Sequence, residues 1–135
     1  MSGGFSWYPG KRAEFGNEIR MTLEQTAEAV KTDVVMSKTV PYAEDSEENF
    51  KRGVVPGELQ GSIYTDTSRS AQGEVAVVAN TPYARRLYYH PEYNFYRGAN
   101  TEAGGLWWRP YLPGGAKQQF AAEAFGKLLK RNRGY

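Results

Sequence analysis

The stretch LQGSIYTDTSRSAQGEVAVVA, residues 59–79, decides the fold of this chain. From Leu59 to Thr65 every second side chain falls on one face of an extended segment, because side chains alternate across a strand. Residues 74–79 read EVAVVA, with apolar side chains on both faces, which is typical of a strand covered on both sides. The polar sequence SRSAQG connects the two segments. We therefore predict an antiparallel hairpin with strands at residues 59–67 and 74–79.

An amphipathic pattern on each side of the hairpin predicts a helix. Residues 11–36 and residues 115–131 both carry apolar side chains at three- and four-residue spacing, which forms one buried stripe on a helix. The order helix, strands, helix predicts an α+β fold, in which a small antiparallel sheet is packed by a long N-terminal helix and a C-terminal helix. The stripes consist of Phe15, Ile19, Leu23, Ala27, Val30 and Val34, and of Phe120, Ala121, Ala124, Phe125, Leu128 and Leu129.

The 135 residues fit one domain with an appended arm. We predict a flexible N-terminal arm over residues 1–10, a single domain over residues 11–131 with loops at 41–58 and 88–105, and a tail over residues 132–135. The arm is rich in glycine and aromatic residues. Its rings either contact a partner or pack on their own domain, and they belong to Phe5, Trp7 and Tyr8.

Short elements are predicted inside and beside these loops. Asp45 or Ser46 is placed to cap a helical turn in the first loop. Residues 82–89 fit either a short helix, with its proline in the first turn, or the edge of a sheet. Trp107 and Trp108 are expected on a third strand that the following proline stops.

Composition excludes several classes of protein. The chain has no cysteine, which excludes disulfide scaffolds, thiol catalysis and thiolate metal sites. The net charge of +2 does not by itself indicate nucleic acid. No apolar run approaches the roughly 20 residues that span a bilayer, and the N-terminal residues lack the pattern of a secretory signal. We predict a soluble protein made in the cytoplasm, without a membrane partner.

Catalytic and ligand-binding motifs are weak. His90 is the sole histidine, and its sequence neighbours supply no evident partner to orient it as a base. The acidic residues 44–48 lack the spacing of a calcium loop, and the paired glycines lack that of a phosphate loop. We therefore predict a non-enzymatic protein without a cofactor or metal, and a small hydrolase built around His90 stays as an alternative.

Tyrosine, tryptophan and arginine are concentrated in residues 83–111. These residue types are enriched at protein–protein contacts, since each combines a large contact area with a polar group. Leu106, Trp107 and Tyr111 are expected in the core, because a small domain buries some of these rings. A nucleic-acid surface is the alternative, using the interleaved Arg85, Arg86, Tyr88 and Tyr89. The predicted protein-contact residues are Tyr83, Arg85, Arg86, Tyr88, Tyr89, Tyr93, Phe95, Tyr96, Arg97 and Trp108.

Four motifs in a fixed order carry a family resemblance. They are VPY at residues 40–42, GELQGSI at 57–63, NTPYARR at 80–86 and WRPY at 108–111. In this order and spacing the chain resembles the small head–tail connector proteins of tailed bacteriophages, also called tail-completion or minor capsid proteins. The likeness covers residues from about 11 to 131. The acidic insert at residues 43–55 departs from it.

The resemblance implies a structural protein of the virion neck. Its subunits would form a homo-oligomeric ring that joins the capsid portal or adaptor to stopper or tail proteins. Head-to-tail contacts close into a ring when the rotation between subunits permits it. DNA would only pass through the lumen of the ring. A lumen of mixed charge suits this passage, because a strongly basic one would bind the phosphates and retain the DNA. The protein would be made in the host cytoplasm and reside in the virion.

Overall fold

The computed structural model of the protein describes residues 16–133 and the backbone of residues 3–7. A three-stranded antiparallel sheet packs against a long helix, and a second helix packs against the first. The predicted α+β class is therefore confirmed. In chain order the elements are β1 (Gly3–Trp7), α1 (Asn17–Met36), α2 (Glu47–Lys51), α3 (Glu58–Gly61), β2 (Ile63–Asp66), β3 (Val75–Ala79), α4 (Ala84–Tyr88) and α5 (Phe120–Asn132), with 3-10 turns at Ser70–Gln72 and Arg109–Tyr111.

Helix α1 carries the predicted apolar stripe on its buried face. Leu23, Ala27, Val30 and Val34 are almost completely excluded from solvent, as their spacing predicts. Two largely buried threonine hydroxyls on the same helix donate to carbonyls one turn earlier, so both have partners. The predicted first part of this helix, residues 11–15, lies outside the described residues.

Strand β3 lies in the centre of the sheet, between β1 and β2, and both pairings are antiparallel. Val77, in the middle of the register, stands opposite Thr65 of β2. Alternate side chains of β3 are buried in the core that α1 covers, and the others are partly covered. The predicted strand at residues 74–79 is therefore confirmed over Val75–Ala79.

The other strand of the hairpin begins later than predicted. Residues 59–61 belong to helix α3, and only Ile63–Asp66 of the predicted span forms a strand. Gly57, with φ +78°, precedes this helical turn, and its carbonyl accepts the backbone N–H of Gly61 at 2.8 Å. Leu59 is buried from the helical turn, so its place in the core does not require an extended segment.

The prediction of a strand at Trp107 and Trp108 is wrong. Both residues lie in a turn that leads into the 3-10 turn Arg109–Tyr111. Pro110 occupies the first turn of that element, where its fixed φ is compatible and its missing N–H costs little. Both tryptophan rings reach the core from the turn.

Part of the predicted flexible arm belongs to the sheet. Residues 3–7 form β1, which pairs with β3 along its whole length. The pairing supplies partners for backbone N–H and C=O groups that β3 would otherwise leave open on that edge. Tyr8 lies outside the described residues, and the contacts predicted for Phe5 and Trp7 concern side chains that also lie outside them.

Helix α5 begins at Phe120, later than the predicted start at residue 115. The residues before it form turns, in which the backbone N–H of Lys117 donates to the carbonyl of Pro110 at 2.7 Å. At the other end Asn132 is still helical, and its amide donates to two side chains of α1 at 2.9 Å each. The predicted tail therefore begins as an ordered part of α5.

The apolar face of α5 is less buried than its pattern suggests. Ala121 is buried, whereas the other apolar residues of that face stay partly exposed. In the described part of the chain no helix combines the length and the apolar character needed to cross a bilayer. The core consists of Leu23, Ala27, Val30, Val34, Val40, Leu59, Ile63, Val75, Val77, Ala79, Ala84, Trp107, Trp108, Tyr111 and Ala121.

Candidate protein-contact surface

Residues 88–105, here called the aromatic loop, leave the C-terminal end of helix α4 and return to it. The helix itself confirms the helical alternative for residues 82–89. The backbone N–H of Leu106 donates to the carbonyl of Tyr88 at 2.9 Å and closes the loop. A Cβ on Gly105 would stand 2.8 Å from that same carbonyl oxygen, so the closure requires glycine there.

The far end of the aromatic loop is anchored to the chain that follows α1. The amide of Asn100 is buried and donates to the carbonyl of Val40 and to Oε1 of Gln60, both at 2.8 Å. Two backbone N–H groups, of Glu102 and Gly104, donate to carbonyls of residues 38–39 at 3.1 Å each. The loop is therefore closed at its base and held against the domain along residues 100–104.

The aromatic loop lies beside the insert, residues 43–55. Ser46 caps α2 in the insert by accepting the N–H of Asn49 at 3.1 Å, so of the two predicted caps it is Ser46 rather than Asp45 that serves. Gly57 lets the chain pass the ring of Tyr42, which a Cβ would approach to 2.9 Å. A groove of about 400 Å³ separates the two loops, and we call it the loop groove. Its lining includes Tyr42, Glu44, Val54, Val55, Tyr83, Arg86, Leu87, Asn94, Phe95 and Tyr96.

Several rings on this side of the molecule face solvent. Tyr89 is 63% exposed, and Tyr93 and Tyr96 are each 42% exposed. The ring of Tyr93 stacks on His90 with 4.6 Å between centroids, which orders the middle of the aromatic loop. On the insert Phe50 is 81% exposed, the highest value among the large apolar side chains described. An exposed aromatic set of this kind is typical of a contact surface.

Trp108 was predicted on the contact surface, and that prediction is wrong. Its side chain is only 3% exposed, because the turn at residues 107–108 directs both rings inward. Trp107 and Tyr111 are buried as predicted. Tyr88 is half-buried, with its ring edge-on to Trp107 at 5.0 Å, and burial raises its pKa. Tyr88 is therefore partly framework rather than free surface.

A second, smaller cavity of about 140 Å³ lies on the other side of α4, and we call it the aromatic pocket. Arg85 lines the aromatic pocket, whereas Arg86 lines the loop groove, because successive helical residues point in different directions. The two arginines therefore do not form one basic stripe. Ala84, Arg85, Tyr88, Tyr89, Trp107, Trp108 and Leu112 line the aromatic pocket.

The expectation that the sequence neighbours of His90 supply no partner is wrong, because Glu92 is one. Its Nδ1 lies 2.7 Å from Oε2 of Glu92, two residues along the chain. The hydrogen bond from His90 holds the pKa of Glu92 below its ordinary value. Both side chains are exposed, and this is the only hydrogen bond of the imidazole among the described residues. The pair, together with the ring of Tyr93, orders the aromatic loop.

A polar cluster that the sequence did not reveal holds the turn that contains Trp107 and Trp108. The hydroxyl of Tyr111 and the ammonium of Lys117 both donate to Oδ2 of Asp33, the latter at 2.7 Å. The same ammonium donates to Oγ of Ser37 at 2.9 Å. Burial, and then the bond to Asp33, raise the pKa of Tyr111. The cluster links the C-terminal end of α1 to the segment that carries both buried tryptophans.

Comparisons with protein-family models, with curated proteins and with solved structures give no significant match. Among the described residues no group of three or more histidine, aspartate or glutamate side chains is arranged to hold a metal ion. The function that the surface supports is therefore argued from its residues.

Proposed function

We propose that the protein is a structural component of a bacteriophage neck, which forms a ring between the capsid portal or adaptor and the tail. The observation that carries the proposal is the exposed aromatic set on two adjacent loops. Phe50 and Tyr89 are more than half exposed. Tyr89 lies on a loop that hydrogen bonds tie to the domain, and Phe50 lies on a helix held by hydrogen bonds within the insert. Rings held in place in solvent gain contact area on binding at a small entropic cost.

The positions of the resemblance motifs support the same proposal. The VPY and GELQGSI motifs contribute Val40 and Leu59 to the core, and NTPYARR forms the entry to α4. The WRPY motif supplies the buried Trp108 and Tyr111. These motifs thus build the framework, and the insert and the aromatic loop are contact segments presented on it.

Light scattering and electron microscopy of the purified protein test the proposal. We expect closed rings, either of the protein alone or on a purified portal or adaptor ring. Tyr89→Ala and Tyr93→Ala should weaken assembly, whereas Tyr64→Ala on β2 is the matched control because Tyr64 is as exposed as Tyr93. A chain that stays monomeric under both conditions, or an equal loss with Tyr64→Ala, contradicts the proposal.

A nucleic-acid-binding module is the alternative, because Arg85, Arg86 and Tyr89 are all exposed on or beside α4. It predicts tight binding of single-stranded DNA that weakens steeply with salt. Fluorescence anisotropy with Arg85→Ala/Arg86→Ala separates the two functions. The alternative requires a lost affinity and a shallower salt dependence in the double variant, whereas the neck proposal predicts weak binding from the start.

A further inference from the structure

We propose that Phe50 of one subunit inserts into the aromatic pocket of a second copy of the chain, so that the insert and the aromatic pocket form the subunit contact. This inference rests on the proposed function, since it names the surfaces that would join neighbours in the ring. The aromatic pocket lies between α4 and the turn that leads to Leu112.

Packing within its own chain does not explain the position of Phe50. It lies on α2, a helix of five residues with no buried side chain, and its ring is 81% exposed. The helix is nevertheless ordered by the cap from Ser46 and by ion pairs of Glu47 with Lys51 and of Glu48 with Arg52. A large apolar ring on an ordered, otherwise charged helix is the form of a contact anchor.

The aromatic pocket has the size and lining for such a ring. Its volume of about 140 Å³ is close to the roughly 150 Å³ of an engineered apolar cavity that holds benzene. Tyr88, Tyr89 and Trp107 line the cavity, and aromatic pairs gain from edge-to-face and offset contact. Leu112 supplies a partly exposed apolar rim.

Charge complementarity selects a second copy as the occupant. Residues 44–52 hold four acidic and two basic side chains, a formal net charge of −2. The lining of the aromatic pocket holds Arg85 and no acidic residue, a formal charge of +1. Glu47 precedes Phe50 by three residues, so the two side chains are neighbours on the surface of α2. Arg85 borders the aromatic pocket. Docking of the ring therefore brings the acidic insert to a pocket that carries Arg85.

The two surfaces are different patches on one chain, so their contact is heterologous. The aromatic pocket contains no residue of the insert, which belongs to the loop groove on the other side of α4. Such head-to-tail contacts propagate from subunit to subunit and close into rings when the rotation permits. The inferred contact therefore has the symmetry that a neck ring needs.

The absence of cysteine from the sequence allows a direct test. Full-length Lys51→Cys protein, in which the thiol stands next to Phe50 on an exposed position of α2 and the ring is kept, is mixed with full-length Leu112→Cys protein under mild oxidation. Mixed disulfides are quantified by mass spectrometry. The control pairs Lys51→Cys with Tyr64→Cys, which places the second thiol on an exposed site of β2. We expect the first mixture to form mixed disulfide at least ten times faster. Equal rates in the two mixtures overturn the inference, whatever the oligomeric state of the protein.

Measurements of self-association supply a second test of the inferred contact. Phe50→Ala should weaken self-association about 10- to 100-fold, the effect of burying one large apolar side chain, whereas Val55→Ala in the same insert should leave it nearly unchanged. Arg85→Glu should weaken association, and Glu47→Lys added to it should restore part of the loss. Association that is indifferent to Phe50→Ala, or a Phe50 dependence confined to binding of another protein, contradicts the self-docking.

The outcomes separate the inference from the proposed function. Rings that form independently of Phe50 refute the inference and leave the neck proposal standing. A Phe50-dependent contact in a protein that never enters virions refutes the neck proposal and leaves the contact standing.

Discussion

Asn100→Asp tests the anchor that holds the aromatic loop against the domain. The substitution keeps the shape of the side chain and replaces a donor of two hydrogen bonds by an acceptor. The Asn100 amide now donates at 2.8 Å to the carbonyl of Val40 and to Oε1 of Gln60. A carboxylate at the same place faces two oxygens and has no proton to offer them.

The expected cost follows from these contacts. Loss of two hydrogen bonds removes about 1–3 kcal/mol, at about 0.5–1.5 kcal/mol each. The site is 6% exposed, so an ionised carboxylate there also loses most of its hydration. We expect a total loss of about 3–5 kcal/mol, a magnitude typical of a buried charge left without its partner. In a domain of this size that lowers the melting temperature by roughly 10 °C or more.

Urea denaturation followed by tryptophan fluorescence and circular dichroism measures the loss. Asn94→Asp is the matched control, because Asn94 is exposed in the same loop and the substitution adds the same charge. Hydrogen exchange should also show earlier opening at Glu102 and Gly104, whose amides bond to residues 38–39. A stability within about 0.5 kcal/mol of wild type for Asn100→Asp, the scatter of neutral surface substitutions, would refute the anchor.

Three further substitutions test other parts of the framework. Gly105→Ala should cost about 1–3 kcal/mol, because its Cβ would meet the carbonyl oxygen of Tyr88 at 2.8 Å; Gly104→Ala, whose nearest neighbour would lie 4.0 Å away, should cost less in the same thermal melts. Trp108→Ala should destabilise by about 3–5 kcal/mol in urea, as loss of a core ring does, and an effect on association without a stability loss would contradict its burial. Tyr111→Phe should cost about 1–3 kcal/mol at neutral pH through the lost bond to Asp33. The pKa of Tyr111 is raised in the folded state, so its stabilising contribution to the free energy of unfolding is complete below about pH 10 and is lost as the pH rises through the folded pKa. The stability of Tyr111→Phe should therefore fall less steeply with alkaline pH than that of wild type.

The elements with a repeated apolar pattern or a distinctive composition were predictable from the sequence. Helix α1 spans 20 residues, enough for the stripe of Leu23, Ala27, Val30 and Val34 to repeat several times. Strand β3 was recognisable from its β-branched run. Helix α3 has only four residues, and a turn that short has no period to distinguish Leu59 on it from Leu59 on a strand.

The missed contacts join residues far apart in sequence. Strand β1 pairs Gly3 with Ala79, and Tyr111 bonds to Asp33, and neither pairing leaves a local pattern. Trp107 and Trp108 have the composition of a strand, but the proline two residues later favours a tight turn that buries both rings.

The exposed aromatic set was partly visible in composition. The exposure of Tyr89, Tyr93 and Tyr96 agrees with the expectation that a small domain cannot bury every ring of the segment. Phe50 is not among the predicted contact residues, although its sequence environment carries a signal. It stands among charged residues, and no apolar partner precedes it at helical spacing, which is the environment of a ring that its own helix does not bury.

The most direct measurement of the central claim is electron microscopy of particles made by a genome from which this coding sequence has been deleted. The neck proposal predicts DNA-filled heads and separate tails that fail to join, with joining restored by the wild-type protein supplied in trans. Phe50→Ala supplied in the same way should restore joining poorly. Intact, infectious tailed particles made without the protein would contradict the proposal.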